Sequence, residues 1–370
     1  MAYSVAGLLL FFLMATQTLQ LDGNGSDTKI EGSQGAIPKT YKGTSSKPNG
    51  TNHLEPSSLP GLVVDSEEAV KAYTTGALST WAIPSAYILA MLLGVPSNAY
   101  ILAFLRRRVK SFSTRGFYLN LAFSDLLFLL SLPLRVHYHF NGHNWTFGEI
   151  TCRILTALFY GNVYCSAQSI ACISLSRYLA VVRPFLYRRL AKTTVTAWTC
   201  LIVWLLFGAA TVPELLVRQS YQVPQLNITT CHDVLPFEER SHSALWPYRL
   251  ILVCLGFVAP FLICIYAHVA VVCRLRQSDC DWTPFIRVST MTFIIFVVCF
   301  LPSSILHLTH YICVFANGDD RLYGYYRAAV CLCCFHSCLD PFFCILISKT
   351  TAELQFISPR GELQRPDVMT

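Results

Sequence analysis

Two carboxylates stand where a charge is expensive. Asp125 interrupts the apolar run LNLAFSDLLF, and Asp340 interrupts CLDPFF. A charged side chain at the centre of a bilayer costs about 2.5 to 3.5 kcal/mol on insertion scales, so each needs polar company. Ser166, on another apolar run, joins them as a set of oxygens of the kind a hard cation prefers. A structural Na⁺ held by Asp125, Ser166 and Asp340 is one reading; a proton-sharing hydrogen-bond network without an ion is the other. No further cofactor is expected.

Cysteine chemistry is not expected from the apolar runs. The chain has 16 cysteines, and most lie inside such runs, among them Cys165, Cys172, Cys200, Cys254, Cys264, Cys299 and Cys338. No CxxC pair is matched by a second at zinc spacing, and Cys331, Cys333 and Cys334 share one apolar helix, so these read as small buried hydrophobes. Catalysis is not expected either. Ser, His and Asp are scattered over different depths, without a nucleophile–base set, a phosphate loop or an inverted repeat, which argues against an enzyme or a transporter.

The elements that carry these residues follow from composition. Over 370 residues the chain is 54% hydrophobic and only 13% charged, where soluble proteins carry about 25% charged residues. Hydrophobic segments of spanning length recur at Trp81–Leu105, Phe117–His137, Thr151–Val182, Thr194–Val217, Ala244–Arg274, Arg287–Cys313 and Tyr325–Ser348. They predict an all-α bundle of seven transmembrane helices over residues 81–348, followed by a short cytoplasmic tail, 349–370. Pro133, Pro184, Pro213, Pro260, Pro302 and Pro341 interrupt or bound these spans, where neighbouring helices can satisfy the freed carbonyls.

Lys and Arg collect in Arg106–Arg115, in Arg177–Lys192, at Arg274, Arg276 and Arg287, and at Lys349, Arg360 and Arg365, all on one face. The positive-inside rule assigns that face to the cytoplasm and the N-terminus to the outside. The formal charge of +7 is then a signal for topology and membrane lipids, and nucleic acid is not an expected partner. The apolar core Gly7–Ala15 is too short to span, and residues 1–20 read as a secretory signal. Residues 21–80 are rich in Gly, Ser, Thr, Pro, Asn and charge without sustained periodicity, and predict a disordered extracellular tail. Glycosylation sequons at Asn24, Asn49, Asn144 and Asn227 all fall on the outer face.

Across Trp81–Ser348 the motifs occur once each and in order: Asn98 after GVPS, LAFSD ending at Asp125, Trp145-x-Phe147-Gly148 before Cys152, Ser176-Arg177-Tyr178, Trp204, Pro260, Phe296-x-x-Cys299-x-x-Pro302 and Asp340-Pro341. This order resembles the rhodopsin-like (class A) G-protein-coupled receptors. Ile228-Thr-Thr-Cys231-His232-Asp233-Val-Leu in the second outer loop is similar to the loop of the proteinase-activated receptors. Asn141–Glu149, Phe159–Ser166 and His310-Tyr311 support the same family.

The resemblance implies a disulfide between Cys152 and Cys231, a plasma-membrane location, coupling to heterotrimeric G proteins and activation by a serine protease that exposes a tethered ligand. Ala36-Ile37-Pro38-Lys39 followed by Thr40-Tyr41-Lys42-Gly43 resembles such a site, with Lys39 as P1 and Thr40 as the new N-terminus. A trypsin-like S1 carboxylate requires Lys or Arg, and Pro38 at P2 suits a thrombin-like pocket. Lys29, Lys42 and Lys71 are rival P1 residues. Leu54-Glu55-Pro56 and Asp65–Glu68 are candidate exosite contacts, but neither holds an aromatic residue, so thrombin and other trypsin-like proteases both stay open as partners.

About forty flexible residues before Trp81 would give the new N-terminus a reach on the order of 35 Å. Asp233, Glu238 and Glu239 offer counter-charges to the new amine and to Lys42, with His232, His310 and Tyr311 as further candidates and Tyr311 as an aromatic face; solvated loop acids are the alternative for all three carboxylates. Three switch positions depart from the receptor pattern: Ser176 precedes Arg177 in place of an acid, His268 stands eight residues after Pro260 where tyrosine is usual, and Asp340-Pro-Phe-Phe-Cys344 ends without tyrosine. Two functions stay open. One is a protease-activated signalling receptor. The other is a protease-binding or presenting cofactor that signals weakly alone and acts with another proteinase-activated receptor.

Overall fold

In a computed structural model of the chain, residues 41–45, 61–64, 67–108, 112–190, 192–236, 251–278, 281–317 and 322–357 are described. From the outer side inward, the elements are strands β1 (Tyr41–Ser45) and β2 (Leu62–Val64), helix α1 (Glu67–Thr75), and the first span, a wide turn Leu78–Ala82 continued by α2 (Ile83–Arg108). Next come α3 (Phe112–Phe140), α4 (Gly148–Val182), the short α5 (Pro184–Arg189) and α6 (Lys192–Leu216). Strands β3 (Ser220–Val223), β4 (Ile228–Cys231) and β5 (Val234–Pro236) precede α7 (Ala259–Arg276), α8 (Thr283–Asn317) and α9 (Tyr323–Ile357).

Seven helices among the described residues are long and apolar enough to cross a membrane. Each exposes large apolar side chains that water would not tolerate and lipid would, including Leu92, Leu130, Trp198, Leu205 and Leu262. α4 runs through the middle and touches α3, α6 and α7, while α9 packs between α8 and α2. The division of labour is uneven: 76% of the apolar window of the seventh span is buried, against 17% for the fourth. α6 is therefore mostly a lipid-facing wall, and α9 is core.

Without a hydrophobic driving force between helices in lipid, close approach depends on small residues. Gly161 of α4 lies against the ring of Phe207 on α6, so that a β-carbon would overlap it. Gly256, in the wide turn before α7, leaves room for Tyr164, whose Cδ1 would stand 2.5 Å from an added β-carbon. Trp204 ties the same wall to α3 by donating its indole N–H to Asn120 Oδ1 at 2.6 Å.

The outer end is capped by two small sheets. β3 and β4 form an antiparallel hairpin, and a second sheet has the order β2-β1-β5, with β1 antiparallel to β2 and parallel to β5. The Cys152–Cys231 disulfide joins the start of α4 to the end of β4, as the family resemblance implied. Trp145 N–H donates to Thr229 O at 2.7 Å, and Thr229 N–H to Asn144 Oδ1 at 3.0 Å, so the first outer loop is sewn to the hairpin. Glu149 accepts from the Gln219 and Ser220 amides at 2.9 and 2.8 Å and fixes the entry into β3.

The expectation of a tail without structure to residue 80 is corrected by these elements. Leu62 and Val64, two apart, and Val70 and Tyr73, three apart, are all buried against the bundle. Each apolar face is too short to show as a sustained period; its partner is the outer end of the bundle, supplied only by tertiary structure. The first span likewise begins at Leu78, ahead of Trp81.

Replacing Gly161 by Ala should force α4 and α6 apart. Overpacking of this kind costs about 1 to 3 kcal/mol, read as a lower apparent Tm of the detergent-solubilised protein. Adding Phe207→Ala should restore the loss; if Gly161→Ala alone leaves Tm unchanged, the helix contact does not limit stability.

Candidate functional site

Asp233 follows the disulfide by two residues, and between them His232 takes a left-handed backbone, φ 66°. That turn directs the carboxylate down into the bundle, where it is 4% exposed. The Tyr323 hydroxyl donates to Oδ1 at 2.5 Å and the Tyr138 hydroxyl to Oδ2 at 2.8 Å. Arg327 Nη2 stands 3.9 Å from Oδ1, and His143 Nδ1 3.6 Å from Oδ2. Burial alone would raise the carboxyl's pKa, but Arg327, His143 and Arg135 outweigh it and hold Asp233 well below the usual carboxylate range.

The root of the tail closes over this cluster. Tyr73 of α1 sets its ring edge-on to His143 at 5.4 Å and to Tyr323 at 5.5 Å, and burial pushes its phenol above the usual range. Ser79 Oγ lies 2.8 Å from His143 Nε2, and the Ser79 carbonyl 2.8 Å from His139 Nδ1. His232 is held separately, with Nδ1 2.6 Å from Gln219 Oε1 and Nε2 3.2 Å from the Tyr160 hydroxyl.

Alongside Asp233 runs the tail itself. β1 pairs with β5 in the register Tyr41↔Val234, Lys42↔Leu235 and Gly43↔Pro236, so the backbone of the expected ligand segment lies on the loop that carries Asp233. Lys39, Thr40, Glu238, Glu239, Asn24 and Asn49 lie outside the described residues, and so does the side chain of Tyr311. His310 is buried, its ring 6.2 Å from that of Tyr323. Asn227 is exposed at the hairpin turn with φ 50°, while Asn144 uses its Oδ1 toward Thr229. Glu67 and Glu68, of the candidate exosite stretch, are exposed in the first turn of α1.

Near the bundle centre, Asp125 Oδ1 accepts from Ser337 at 2.8 Å, Asn162 at 3.2 Å and Ser166 at 3.3 Å. Its Oδ2 is buried and has no hydrogen-bond partner among the described residues. Asp340 is turned elsewhere: its Oδ2 lies 3.0 Å from His336 Nδ1. The structure therefore brings Asp125 and Ser166 together, while Asp340 is engaged by an imidazole that the sequence had not singled out.

On the inner side, Tyr118, Arg177, His268, Phe293, Phe296 and Asp340 line one cavity. Arg177, without an acid beside it at Ser176, donates to the Tyr118 hydroxyl at 2.5 Å. His268 stacks on Phe293 at 4.8 Å, with Nε2 3.4 Å from Thr290 Oγ1. Tyr178 places its hydroxyl 3.5 Å from that of Tyr266. Phe296 packs on Phe300 at 5.1 Å, six residues before Pro302 within α8, and Cys344 is buried among Ile101, Leu105 and Tyr118 three residues after Pro341.

The family model described as 7 transmembrane receptor (rhodopsin family) matches residues 97–343. The chain is 43% identical to Proteinase-activated receptor 3 of Homo sapiens over 77% of its own length and 76% of the relative's. This chain belongs to the proteinase-activated receptors. It is also 36% identical to Proteinase-activated receptor 2 of Mus musculus over 78% of this chain and 73% of the relative, and 33% identical to Proteinase-activated receptor 1 of Xenopus laevis over 70% and 62%. It is a multi-pass plasma-membrane receptor of a family that is not an enzyme class.

In this receptor the partners of Asp233 are the residues that sequence reasoning missed. A usable signal was present: Arg327 lies within the seventh apolar run and needs an acid at the same depth, and Asp233 is the carboxylate that reaches it. Asp233→Asn should cost about 3 to 5 kcal/mol, because it leaves a buried guanidinium uncompensated. The folded-state pKa is depressed, so this stability is present above the ordinary carboxylate range and is lost as pH falls through the folded value. Thermal unfolding of the two proteins should therefore differ at pH 7, begin to approach each other only as pH falls below about 4, and meet below the depressed folded value; equal curves at pH 7 would show that the pair adds nothing.

Proposed function

We propose that this protein is a cell-surface receptor switched by serine-protease cleavage after Lys39, with Thr40 as the first residue of a tethered ligand and heterotrimeric G proteins as its output. What carries the reading is the parallel pairing of Tyr41–Gly43 with Val234–Pro236. The register opens at Tyr41↔Val234, and in the sequence Val234 is the residue that follows Asp233. Before the cut Thr40 contributes a neutral amide; afterwards it carries an α-amine of pKa about 7.7 to 8.0, mostly protonated at pH 7. A cation delivered to a carboxylate balanced among Arg327, His143 and two phenols favours a different arrangement of helices, and a differential affinity of this kind is what a population shift requires. Trypsin-like proteases that accept Pro at P2, thrombin among them, are the expected activators.

A second reading is favoured by the inner face. With Arg177 bound to Tyr118, and Ser176 and Cys344 offering neither acid nor phenol, the chain would couple weakly by itself and serve as a protease-binding cofactor to another proteinase-activated receptor. Sodium at Asp125 stays a proposal resting on its Oδ2, which has no hydrogen-bond partner among the described residues; Asp340 does not contribute while it faces His336, and the contacts of Oδ1 suit the hydrogen-bond network.

Lys39→Ala should abolish the fragment ending at residue 39 and the protease response, since alanine leaves the S1 carboxylate unpaired. Tyr41→Ala should leave cleavage nearly intact and impair the response. Mass spectrometry of released peptides with G-protein nucleotide exchange reads both, and a Lys39→Ala receptor that is cut and activated normally would remove this cleavage site. For the inner face, Tyr118→Phe should raise output per cut receptor about threefold, the worth of a modest hydrogen bond, with cleavage unchanged. An unchanged output would show that the Tyr118 contact does not limit coupling.

A further inference from the structure

β1 is formed in the uncleaved chain, and it is a central strand. One edge runs parallel to β5 of the second outer loop; the other is antiparallel to β2, in the register Gly43↔Val64, Thr44↔Val63 and Ser45↔Leu62. β2 belongs to the same tail and is itself anchored. Leu62 and Val64 are 2% and 3% exposed, and Val63 between them is 38% exposed. Val64 N–H donates to Gln225 Oε1 at 2.7 Å, Gln225 Nε2 donates to Val64 O at 3.4 Å, and Gly61 bridges to Gln222 of the hairpin. Backbone polar groups alternate sides along a strand, so with both groups of Val64 turned to Gln225, those of Val63 face Thr44 in β1.

Resting on the reading of Lys39 as the cleavage site, we infer that the segment Tyr41–Ser45 is docked before cleavage in a backbone slot between tail residues Leu62–Val64 and loop residues Val234–Pro236. Proteolysis then unmasks a ligand already seated, and the slot is a binding site built from both the tail and the loop. Strand addition of this kind takes its affinity from main-chain hydrogen bonds. The anchored β2 also shortens the effective tether to the stretch between Ser45 and Gly61, which replaces a search by forty free residues.

A consequence of opposite signs follows. A protease holds the residues on both sides of the scissile bond in its cleft, and those after Thr40 are the residues paired in β1. Cleavage must wait for β1 to leave the slot, so its rate tracks the undocked population. Weakening the slot speeds the cut and weakens what the cut achieves.

The test uses the full-length receptor in cells with limiting trypsin. Val63→Pro removes one ladder donor while the buried Leu62 and Val64 stay in place; Val63→Ala keeps the donor. Loss of one such bond is worth about fivefold in a population. Val63→Pro should release the fragment ending at Lys39 about fivefold faster, with lower G-protein output per cut, and Val63→Ala should match wild type. Gln225→Ala, which frees β2 from the hairpin, should shift both readouts the same way if Val63→Pro fails to reach the surface. Equal cleavage rates in all variants would overturn the docked strand. If wild type yields no fragment ending at Lys39, the cleavage reading falls on its own. The slot is then judged by a Thr44→Cys, Val63→Cys pair in uncut receptor: a disulfide found by mass spectrometry upholds it, and its absence rejects it.

Discussion

A carboxylate taken out of water must be answered within a few ångströms, and the outer half of this receptor is arranged around that requirement. Asp233 draws Tyr138 from α3, Tyr323 and Arg327 from α9, and His143 from the first outer loop. The disulfide brings the loop to α4, but a covalent bond at Cys231 fixes one point only. The acid two residues later supplies the second point, and two fixed points orient β5. Because β5 is the strand that receives β1, the register of the tail on the bundle follows from where this charge is buried.

The same cluster explains why the root of the tail is ordered. Tyr73 covers His143 and Tyr323, and Ser79 contacts both His143 and His139. These groups would be solvated if α1 were absent, and the ion cluster would then sit in a higher dielectric where each contact is worth less. Tail and cluster stabilise each other. The helices below supply a rigid floor by a different device, close packing at Gly161 and Gly256, which depends on shape instead of charge.

Much of this was legible in the sequence. Seven spans, their orientation and the Cys152–Cys231 pairing depended on long apolar runs and on motifs in fixed order, signals strong enough to survive without coordinates. Asp233 was singled out from its place in the loop motif. Its company was not, because Tyr138, His143, Tyr323 and Arg327 are distant in the chain and meet only through helix packing. Leu62, Val64, Val70 and Tyr73 were hidden for a related reason: two apolar residues per element make no period, and their burial depends on a surface made by other elements. His336 was passed over beside Asp340, since an i, i+4 pair on one helix looks like any two positions on an apolar face.

The two ends of the bundle contrast in how tightly their polar groups are committed. Outside, an acid is held by two phenols, an imidazole and a guanidinium, so a new cation must enter an arrangement that is already balanced. Inside, Arg177 has a single phenol, Tyr118, where the receptor pattern places an acid. Ligand binding can shift the helices only by as much free energy as it gains at the outer cluster. A weak inner contact is easily broken, yet breaking it supplies little of the cooperative change that a charge pair would. On the proposed reading, a new charge at the outer end would meet a strong, local response of which the inner end would transmit only part, and the same fold would then suit either a modest signalling receptor or a platform that holds a protease beside a stronger one.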